Sequence, residues 1–285
     1  METINFEYEF GKKHPSRVFL IRYMREAIGK EGEMEFSDMT ARNLTAIVDY
    51  IKSKVTANSA SNYCTLIKSF LNMMDDEVEL PTKKFASFLS VKKEPQQNVA
   101  LTEDEVERIY AYYKELLKKS RHQVEKDVLT LFLIECYCGA RGVDSEAIDK
   151  TNIENGRLTY VSKKTHILAT MPVHYRLAEL LRRKPKRTFT RSSKNRVIKR
   201  VCQRCGINSP VTIFYHGEMQ TRPKYEFCAF HTARRSFASV LAAKGVPIPE
   251  IAQYMSHTNT LMTQRYIKVE QNISSAAALS FFNKQ

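Results

Sequence analysis

The 285-residue sequence has no long apolar segment. A transmembrane helix needs about 18 consecutive apolar residues, and no such run occurs. The start METINFEYEF is acidic and polar, whereas a secretory signal needs a basic segment followed by an apolar one. Tryptophan is absent, and six cysteines are too few for a disulfide scaffold. These features exclude an integral membrane protein and a disulfide-stapled secreted domain, and they predict a cytoplasmic globular protein.

Acidic residues are scarce in only one part of the chain. The formal net charge is +14, yet residues 1–100 carry equal numbers of basic and acidic side chains, so the excess belongs to residues 101–285. Between Leu181 and Arg235, fifteen basic residues face only two acidic ones. Five or six such charges would be an ordinary solvated surface, but a run of this length with interspersed polar and aromatic residues favours a polyanionic partner.

Nucleic acid fits this basic segment better than a membrane does. An interfacial helix needs a Leu, Phe or Trp face, which LRRKPKRTFTRSSKNRVIKR lacks. We therefore expect a nucleic acid as the partner and no membrane. The side chains predicted to bind DNA are Lys163, Arg182, Arg183, Lys184, Lys186, Arg187, Arg191, Lys194, Arg196, Lys199 and Arg200.

The hydrophobic pattern divides the chain into two helical parts. Apolar residues recur at helical spacing from His14 to about Leu89, which predicts about four helices, with Thr40 and Asn58 among the candidate start positions. The stretch 91–100 has no apolar period and contains Pro95, so it is predicted to be a linker. The predicted domains are thus 1–90 and 101–285.

The second part is predicted to be mostly helical with a small hairpin. Thr102 and Glu105 form a capping-box signature, and the apolar run VLTLFLIECYC indicates a buried helix from about Glu125 to Gly139. The β-rich segments RLTYVSKK and ILATMPVH predict a hairpin with Lys163 and Lys164 at its turn. Further helices are expected at 177–181, 195–205, 231–244, 249–254, 261–268 and, as a tail, 274–282.

Candidate catalytic groups lie near the end of the chain. His231 and Arg234 are three residues apart on a predicted helix, so they share one face and together suit an anionic oxygen. His257 falls at a break between two helices, and Tyr266 follows nine residues later. Each of these residues alone is weak evidence for an active site, because tyrosine more often packs in the structure and histidine more often lies at a cap or turn.

Taken together, these residues resemble the tyrosine recombinases, or phage-integrase family. The matching positions, in order, are Arg141 in CGARGVD, Lys164 in SKKTHILATMP, His231 and Arg234 in HTARRSF, His257 in MSHTNT, and Tyr266 in QRYIKV. Pro172, eight residues after Lys164, favours that lysine, with Lys163 as the fallback. Ser256 stands where the family usually has glycine, and Ala140 where a larger apolar residue is common.

The resemblance implies a fold and an architecture. The expected fold is mainly α with a small β-hairpin or sheet. A helical, SAM-like core-DNA-binding domain and a mostly helical catalytic domain would form a clamp on double-stranded DNA, without an arm-binding domain. It also implies a monomer that assembles as a homotetramer on DNA, with the tail around Leu279, Phe281 and Phe282 packing into a neighbouring protomer or, alternatively, within its own.

The implied activity is site-specific DNA recombination through a 3′-phosphotyrosyl intermediate. Tyr266 would attack the phosphodiester, and Arg141, Arg234 and His257 would stabilise the negatively charged transition state. His231 would help to deprotonate Tyr266, and Lys164 would protonate the leaving 5′ oxygen. No cofactor is implied, and the sequence offers no acidic cluster for Mg²⁺. Alternatives are nicking and resealing like that of a type IB topoisomerase, or a non-catalytic DNA-binding regulator.

Two other patterns leave alternatives open. Cys202-x₂-Cys205 and Cys228-x₂-His231 resemble a zinc pattern, but the first pair lies in a segment of helical period and zinc would occupy His231. Asp144 either orients the Arg141 guanidinium or caps the short helix that follows.

Overall fold

The computed structural model describes residues 4–94, 99–215 and 218–267, and within them the protein is mainly helical. The chain divides into two compact units. The first comprises Met1–Gln96 with the short segment Phe214–Glu218, and the second comprises Gln97–Ile213 with Met219–Gln285. The predicted fold class, mainly α with small β elements, is confirmed.

The first unit packs its helices around an aromatic core. Phe6, Phe10, Phe36 and Phe70 are all buried, and the rings of Phe6 and Phe70 meet edge to face with centroids 5.3 Å apart. Such pairs add to the stabilisation from area burial. The helices of this unit are α1 (Phe6–Lys13), α2 (Phe19–Ile28), α3 (Ala41–Lys54), α4 (Ala57–Met74) and α5 (Phe85–Phe88).

Helix starts in the first unit follow side-chain capping. Thr40 caps α3 by accepting a hydrogen bond from the Asn43 amide, which confirms one predicted start. Thr56 caps α4, so the helix starts two residues before the predicted position Asn58. Helix α1 was not predicted, because its apolar stripe consists of Phe6 and Phe10 alone.

The second unit is built around one buried helix. Its helices are α6 (Glu103–Leu117), α7 (Gln123–Cys138), α8 (Gly142–Ser145), α9 (Leu177–Arg182), α10 (Arg191–Arg204), α11 (Thr232–Ala243), α12 (Ile248–Tyr254) and α13 (Thr260–Ile267). Helix α7 is buried on all sides from Glu125 to Cys138 and packs against α6, α9, α10 and α11. The capping box of Thr102 and Glu105 at α6 is confirmed.

The end of α7 determines the geometry that follows. Gly139 ends the helix in the left-handed region, with φ +62°, which glycine adopts without the steric cost of a side chain. A Cβ at this position would lie 2.3 Å from Cδ1 of Phe237 on α11, so the space is also too small for any side chain. The chain therefore turns sharply towards α11 before Arg141 begins α8.

Two small sheets complete the second unit. The first has the antiparallel order β1 (Ile153–Glu154), β2 (Arg157–Val161), β3 (Leu168–Pro172), and Val161 pairs with Leu168 at the predicted hairpin turn. The second, formed by β4 (Pro210–Tyr215) and β5 (Glu218–Pro223), was not predicted. No residue of strand β5 is buried and its sequence, EMQTRP, does not alternate between apolar and polar residues, so the pattern gives no strand signal.

The tail helix predicted at 274–282 lies outside the residues that the structure describes. Throughout the part of the chain that the structure describes, no helix has both the length and the apolar character that crossing a membrane requires.

Candidate active site

Helix α11 places Arg234 in the interior of the second unit. Its side chain is 1% exposed, and Nη1 donates to the carbonyl oxygen of Gly139 at 2.6 Å. Nη2 donates to the carbonyl oxygen of Met255 at 2.6 Å and to Nε2 of His257 at 2.7 Å. One guanidinium thus joins the end of α7, the end of α12 and the predicted second histidine.

The contact with Arg234 fixes the tautomer of His257. A guanidinium can only donate, so Nε2 of His257 accepts and the proton is on Nδ1. Nδ1 lies 2.8 Å from Oγ1 of the buried Thr263, to which it donates. In this structure His257 therefore holds Arg234 in place. A hydrogen bond from Nε2 to a phosphate oxygen would require a proton on Nε2 and a redirected Arg234 Nη2.

Tyr266 meets His231 at the partly exposed edge of the same cluster. The Tyr266 hydroxyl lies 3.1 Å from Nε2 of His231, which occupies the N-cap position of α11. The backbone of Tyr266 is anchored by Ser239, whose Oγ donates to the Tyr266 carbonyl oxygen at 3.2 Å. The side chain of Tyr266 is half-buried, and helix α13 packs against α11 and α12.

Both histidines are neutral near pH 7. Burial, followed by the charges of Arg235, Arg234, Arg191 and Arg141, lowers the pKa of His231 to about 4. Burial, followed by Arg234, Arg141 and His231, lowers the pKa of His257 to about 3. A neutral imidazole retains a free lone pair, so His231 can accept a proton from the hydroxyl of Tyr266.

Arg141 is oriented through a serine that sequence reasoning missed. Its Nη1 donates to Oγ of Ser162 at 2.9 Å, and this Oγ donates to Oδ2 of Asp144 at 3.1 Å. Oδ1 of Asp144 accepts from the Lys163 amide at 2.8 Å. Arg141, rather than Asp144, occupies the N-cap position of α8. Of the two roles considered for Asp144, capping is wrong, and its link to Arg141 runs through Ser162.

The hairpin turn presents two lysines beside the histidine loop. Lys163 and Lys164 are exposed at the turn between β2 and β3. The neighbouring Thr165 donates through Oγ1 to the carbonyl oxygen of Ser256 at 3.3 Å, which ties the turn to the residue before His257. Ser256 has φ +51°, a left-handed conformation that costs a non-glycine residue about 1–2 kcal/mol. A glycine in this position would avoid that cost.

The basic residues of 182–200 differ in their surroundings. Arg182, Lys186, Arg191, Arg196 and Lys199 are exposed. Three other arginines are exposed but form ion pairs. Arg183 pairs with Glu179, Arg187 with Asp127, and Arg200 with Glu125. Two of the predicted DNA-binding lysines point into the protein.

Those two lysines are held by the segment around Glu146. Lys194 is buried and pairs with the Glu146 carboxylate, while Lys184 donates to the carbonyl oxygens of Glu146 and Ile148. Their placement does not fit the predicted DNA contact, because their ammonium groups are already bound within the protein. The charge run alone could not distinguish them from their exposed neighbours.

Of the three cysteines of the zinc-like pattern, Cys202 and Cys228 are neighbours in the core and Cys205 is only partly buried. Cys202 and Cys228 are buried, and contact with Cys228 together with burial raises the pKa of Cys202, which keeps it a thiol. Nε2 of His231 contacts Tyr266. Across residues 4–94, 99–215 and 218–267, no three His, Cys, Asp or Glu side chains are grouped so as to hold a metal ion.

The sequence comparison supplies the family to which this fold belongs. The sequence model of the Phage integrase family matches residues 60–272, well over half of the chain. The protein therefore belongs to the phage integrase family and is a tyrosine-type site-specific recombinase. No curated protein matches the sequence.

Solved structures agree with this fold at low sequence identity. A lambda integrase dimer bound to a COC′ core site is 15% identical with a TM-score of 0.64, and the match covers 95% of this chain and 98% of that one. A lambda integrase tetramer bound to a Holliday junction is 16% identical with a TM-score of 0.62, covering 93% and 78%. The Tn1549 transposon integrase in complex with circular intermediate DNA is 13% identical with a TM-score of 0.64, covering 99% and 100%.

The low pKa of His257 predicts a loss of stability in acid. Because the folded protein disfavours the charged imidazole, this contribution is fully present above the unfolded pKa of 6.5 and is lost as the pH falls towards about 3. The free energy of unfolding should decrease by about 1.4 kcal/mol per pH unit from this residue below pH 6. Urea unfolding of wild type and His257→Gln at pH 7 and pH 5 measures it. Parallel pH dependence in the two proteins would contradict the prediction.

Proposed function

We propose that the protein breaks and rejoins DNA strands by transferring a phosphodiester to Tyr266. The observation that carries this proposal is the Tyr266 hydroxyl at 3.1 Å from Nε2 of a neutral His231, beside the buried Arg234. A base with a free lone pair, a phenol and a guanidinium are what nucleophilic attack on a phosphate needs.

The proposed step includes two proton transfers, one from the attacking phenol and one to the leaving 5′ oxygen. The Tyr266 proton moves to Nε2 of His231 while the phenol oxygen forms a bond to phosphorus. The bond from phosphorus to the 5′ oxygen breaks, and Lys164 supplies the proton that this leaving oxygen takes up. The product is a 3′-phosphotyrosine linkage and a free 5′ hydroxyl, and the reverse reaction with another 5′ hydroxyl rejoins strands without ATP.

Arg141 and Arg234 are proposed to neutralise the five-coordinate phosphorane. Arg141 is only partly buried, and its Nη1 binds a neutral hydroxyl, that of Ser162, so its charge remains available to a non-bridging oxygen. Arg234 would supply the second guanidinium from the interior. His257 positions Arg234, and it would donate to a non-bridging oxygen if the bound phosphate anion raises the pKa of its imidazole so that Nε2 takes up a proton from solvent and Arg234 Nη2 turns away. Lys163 stays the alternative acid at the hairpin turn.

The architecture on DNA is proposed from the basic surface and the named structures. Residues 1–90 would form the core-DNA-binding domain, 91–100 the linker and 101–285 the catalytic domain. We propose that Lys163, Arg182, Lys186, Arg191, Arg196 and Lys199 contact phosphates, since these cations are exposed. Lambda integrase has been observed as a dimer and as a tetramer on DNA. We propose that this protein is a monomer in the cytoplasm and a tetramer on DNA, with exchange of the segment around Phe281.

The test is covalent capture on DNA. Wild-type protein is incubated with a pool of duplexes of randomised sequence, each nicked so that cleavage releases a short fragment and rejoining cannot occur. Protein–DNA species that survive denaturing electrophoresis are amplified and sequenced, and the modified peptide is identified by mass spectrometry. We expect enrichment of one sequence and a nucleotide attached to Tyr266. If no denaturant-resistant adduct forms at any protein concentration, the proposal is wrong.

A second experiment separates strand exchange from topoisomerase-like resealing. Two intact duplexes that carry the enriched sequence and differ in length are incubated together. A recombinase yields products with exchanged flanks, whereas a nicking and resealing enzyme only relaxes a supercoiled plasmid. Relaxation of the plasmid without exchanged flanks would agree with cleavage and rejoining by Tyr266, but it would refute the proposed tetramer.

A further inference from the structure

Arg235 is a cation of the active-site region that the six family positions do not include. It lies one residue after Arg234 and one helical turn after His231 on α11, and its amide donates to the His231 carbonyl oxygen at 3.4 Å. Residues four apart share a helix face, so Arg235 and His231 project on the same side. The side chain of Arg235 is only partly exposed.

This guanidinium has no counter-ion within the described residues. Its Nε is buried without a hydrogen-bond partner, and no carboxylate of residues 4–94, 99–215 or 218–267 forms an ion pair with it. Two other partly buried arginines have a carboxylate partner, since Arg176 pairs with Glu107 and Arg25 with Glu7. A desolvated cation without a partner destabilises the fold, so an unpaired one is suited to an anion that arrives later.

The charge of Arg235 acts at the nucleophile end of the site. Among the charges that lower the pKa of His231, that of Arg235 has the largest effect and that of Arg141 the smallest. Burial lowers the pKa of Arg235 and of Arg234, and the Tyr266 hydroxyl opposes that shift in both. The charge of Arg235 therefore acts on His231 and on Tyr266, the two side chains that meet at 3.1 Å.

We propose that Arg235 is a third arginine of the reaction centre, which stabilises negative charge on the Tyr266 phenol oxygen. As the phenol proton passes to His231 and the bond to phosphorus forms, this oxygen becomes transiently anionic. It becomes anionic again when the phosphotyrosine is resolved and the tyrosine leaves. Arg141 acts on the non-bridging oxygens, so Arg141 and Arg235 have separate targets. This assignment rests on the proposed function.

A neutral phosphate analogue distinguishes the two kinds of arginine. In a methylphosphonate, one charged non-bridging oxygen at the scissile position is replaced by a methyl group, whereas the attacking phenol is unchanged. An arginine that serves the non-bridging oxygens becomes less necessary on this substrate. An arginine that serves the phenol oxygen remains equally necessary.

The experiment compares Arg235→Met with Arg141→Ala in single-turnover cleavage of phosphate and methylphosphonate duplexes of the captured sequence. Loss of one preorganised donor costs about 100-fold in rate. We expect about that loss for Arg235→Met on both substrates, with the Kd for DNA changed less than about threefold. The loss for Arg141→Ala should shrink at least about tenfold on the methylphosphonate. Arg235→Lys should restore part of the rate, because it returns a positive charge.

The stability of Arg235→Met provides a second readout, because a structural role for Arg235 predicts the opposite change. Methionine keeps the apolar stem of Arg235 and removes an unpaired cation, so Arg235→Met should unfold at equal or higher urea concentration than wild type. A less stable Arg235→Met protein, rescue of its rate by the methylphosphonate, or a loss confined to DNA affinity would each overturn the assignment. A wild-type protein that forms no adduct would instead refute the proposed function.

Discussion

Replacing Tyr266 with phenylalanine is expected to abolish the covalent adduct with nicked DNA. The phenol oxygen is the atom that would bond to phosphorus, and phenylalanine keeps the ring that packs in the edge of the second core while removing that atom. No other tyrosine can replace it within the described residues, because among them only Tyr266 places its hydroxyl against His231. Denaturing electrophoresis of both proteins with the captured duplex measures the effect.

The folded state of this variant should be almost unchanged. Tyr266 is half-buried and its hydroxyl makes one hydrogen bond to a neutral partner, a contact that contributes about 1 kcal/mol. DNA affinity should stay within about threefold, since the nucleophile carries no charge before the reaction. Urea unfolding and a binding titration serve as controls. A residual adduct on Tyr266→Phe would mean that another side chain is the nucleophile.

Arg234→Lys is expected to lower the rate of cleavage about 1000-fold although the positive charge is kept. Arg234 makes three directed contacts through two nitrogens, with Gly139, Met255 and His257, and an ammonium on a flexible stem cannot reproduce that fork. The loss combines a misplaced donor for the phosphorane with the release of His257, and removal of one donor alone costs about 100- to 1000-fold. Single-turnover cleavage measures the rate.

The matched control is Arg196→Lys, an exposed position on α10 where the guanidinium serves only as a charge. Its cleavage rate should fall by less than about threefold. Arg234→Lys should also unfold more easily, because buried carbonyls then lose partners at about 1–3 kcal/mol each. Equal cleavage rates for Arg234→Lys and wild type would show that the planar guanidinium is not required and that Arg234 acts only through its positive charge.

Much of the site could be predicted because its chemistry is local in sequence. His231 and Arg234 share a helix face by spacing alone, and the capping box of Thr102 and Glu105 fixes the start of α6. The family pattern supplied Arg141 and Tyr266. Spacing cannot show which distant segments meet. Ser162, which follows β2, links Arg141 and Asp144 at the start of α8.

The errors have a common physical origin. Lys194 has the same charge and the same basic neighbours as Lys199, yet one is buried on the inner face of α10 and the other exposed. Likewise, the N-cap position of α8 is taken by Arg141, because the sharp turn at Gly139 brings the chain round earlier than the helical pattern suggests. Both outcomes depend on packing between elements, which a one-dimensional pattern does not contain.

The carbonyl contacts of Arg234 determine how the site holds its charge before DNA arrives. Gly139 and Met255 are the C-cap residues of α7 and α12, so the guanidinium lies against the negative ends of two helix dipoles. Burial raises the pKa of Glu135, an acid on which the charge of Arg234 acts, to about 8, so this carboxyl is mostly uncharged at pH 7. Dipoles hold the cation in place without cancelling its charge, so no carboxylate has to be displaced when a phosphate binds.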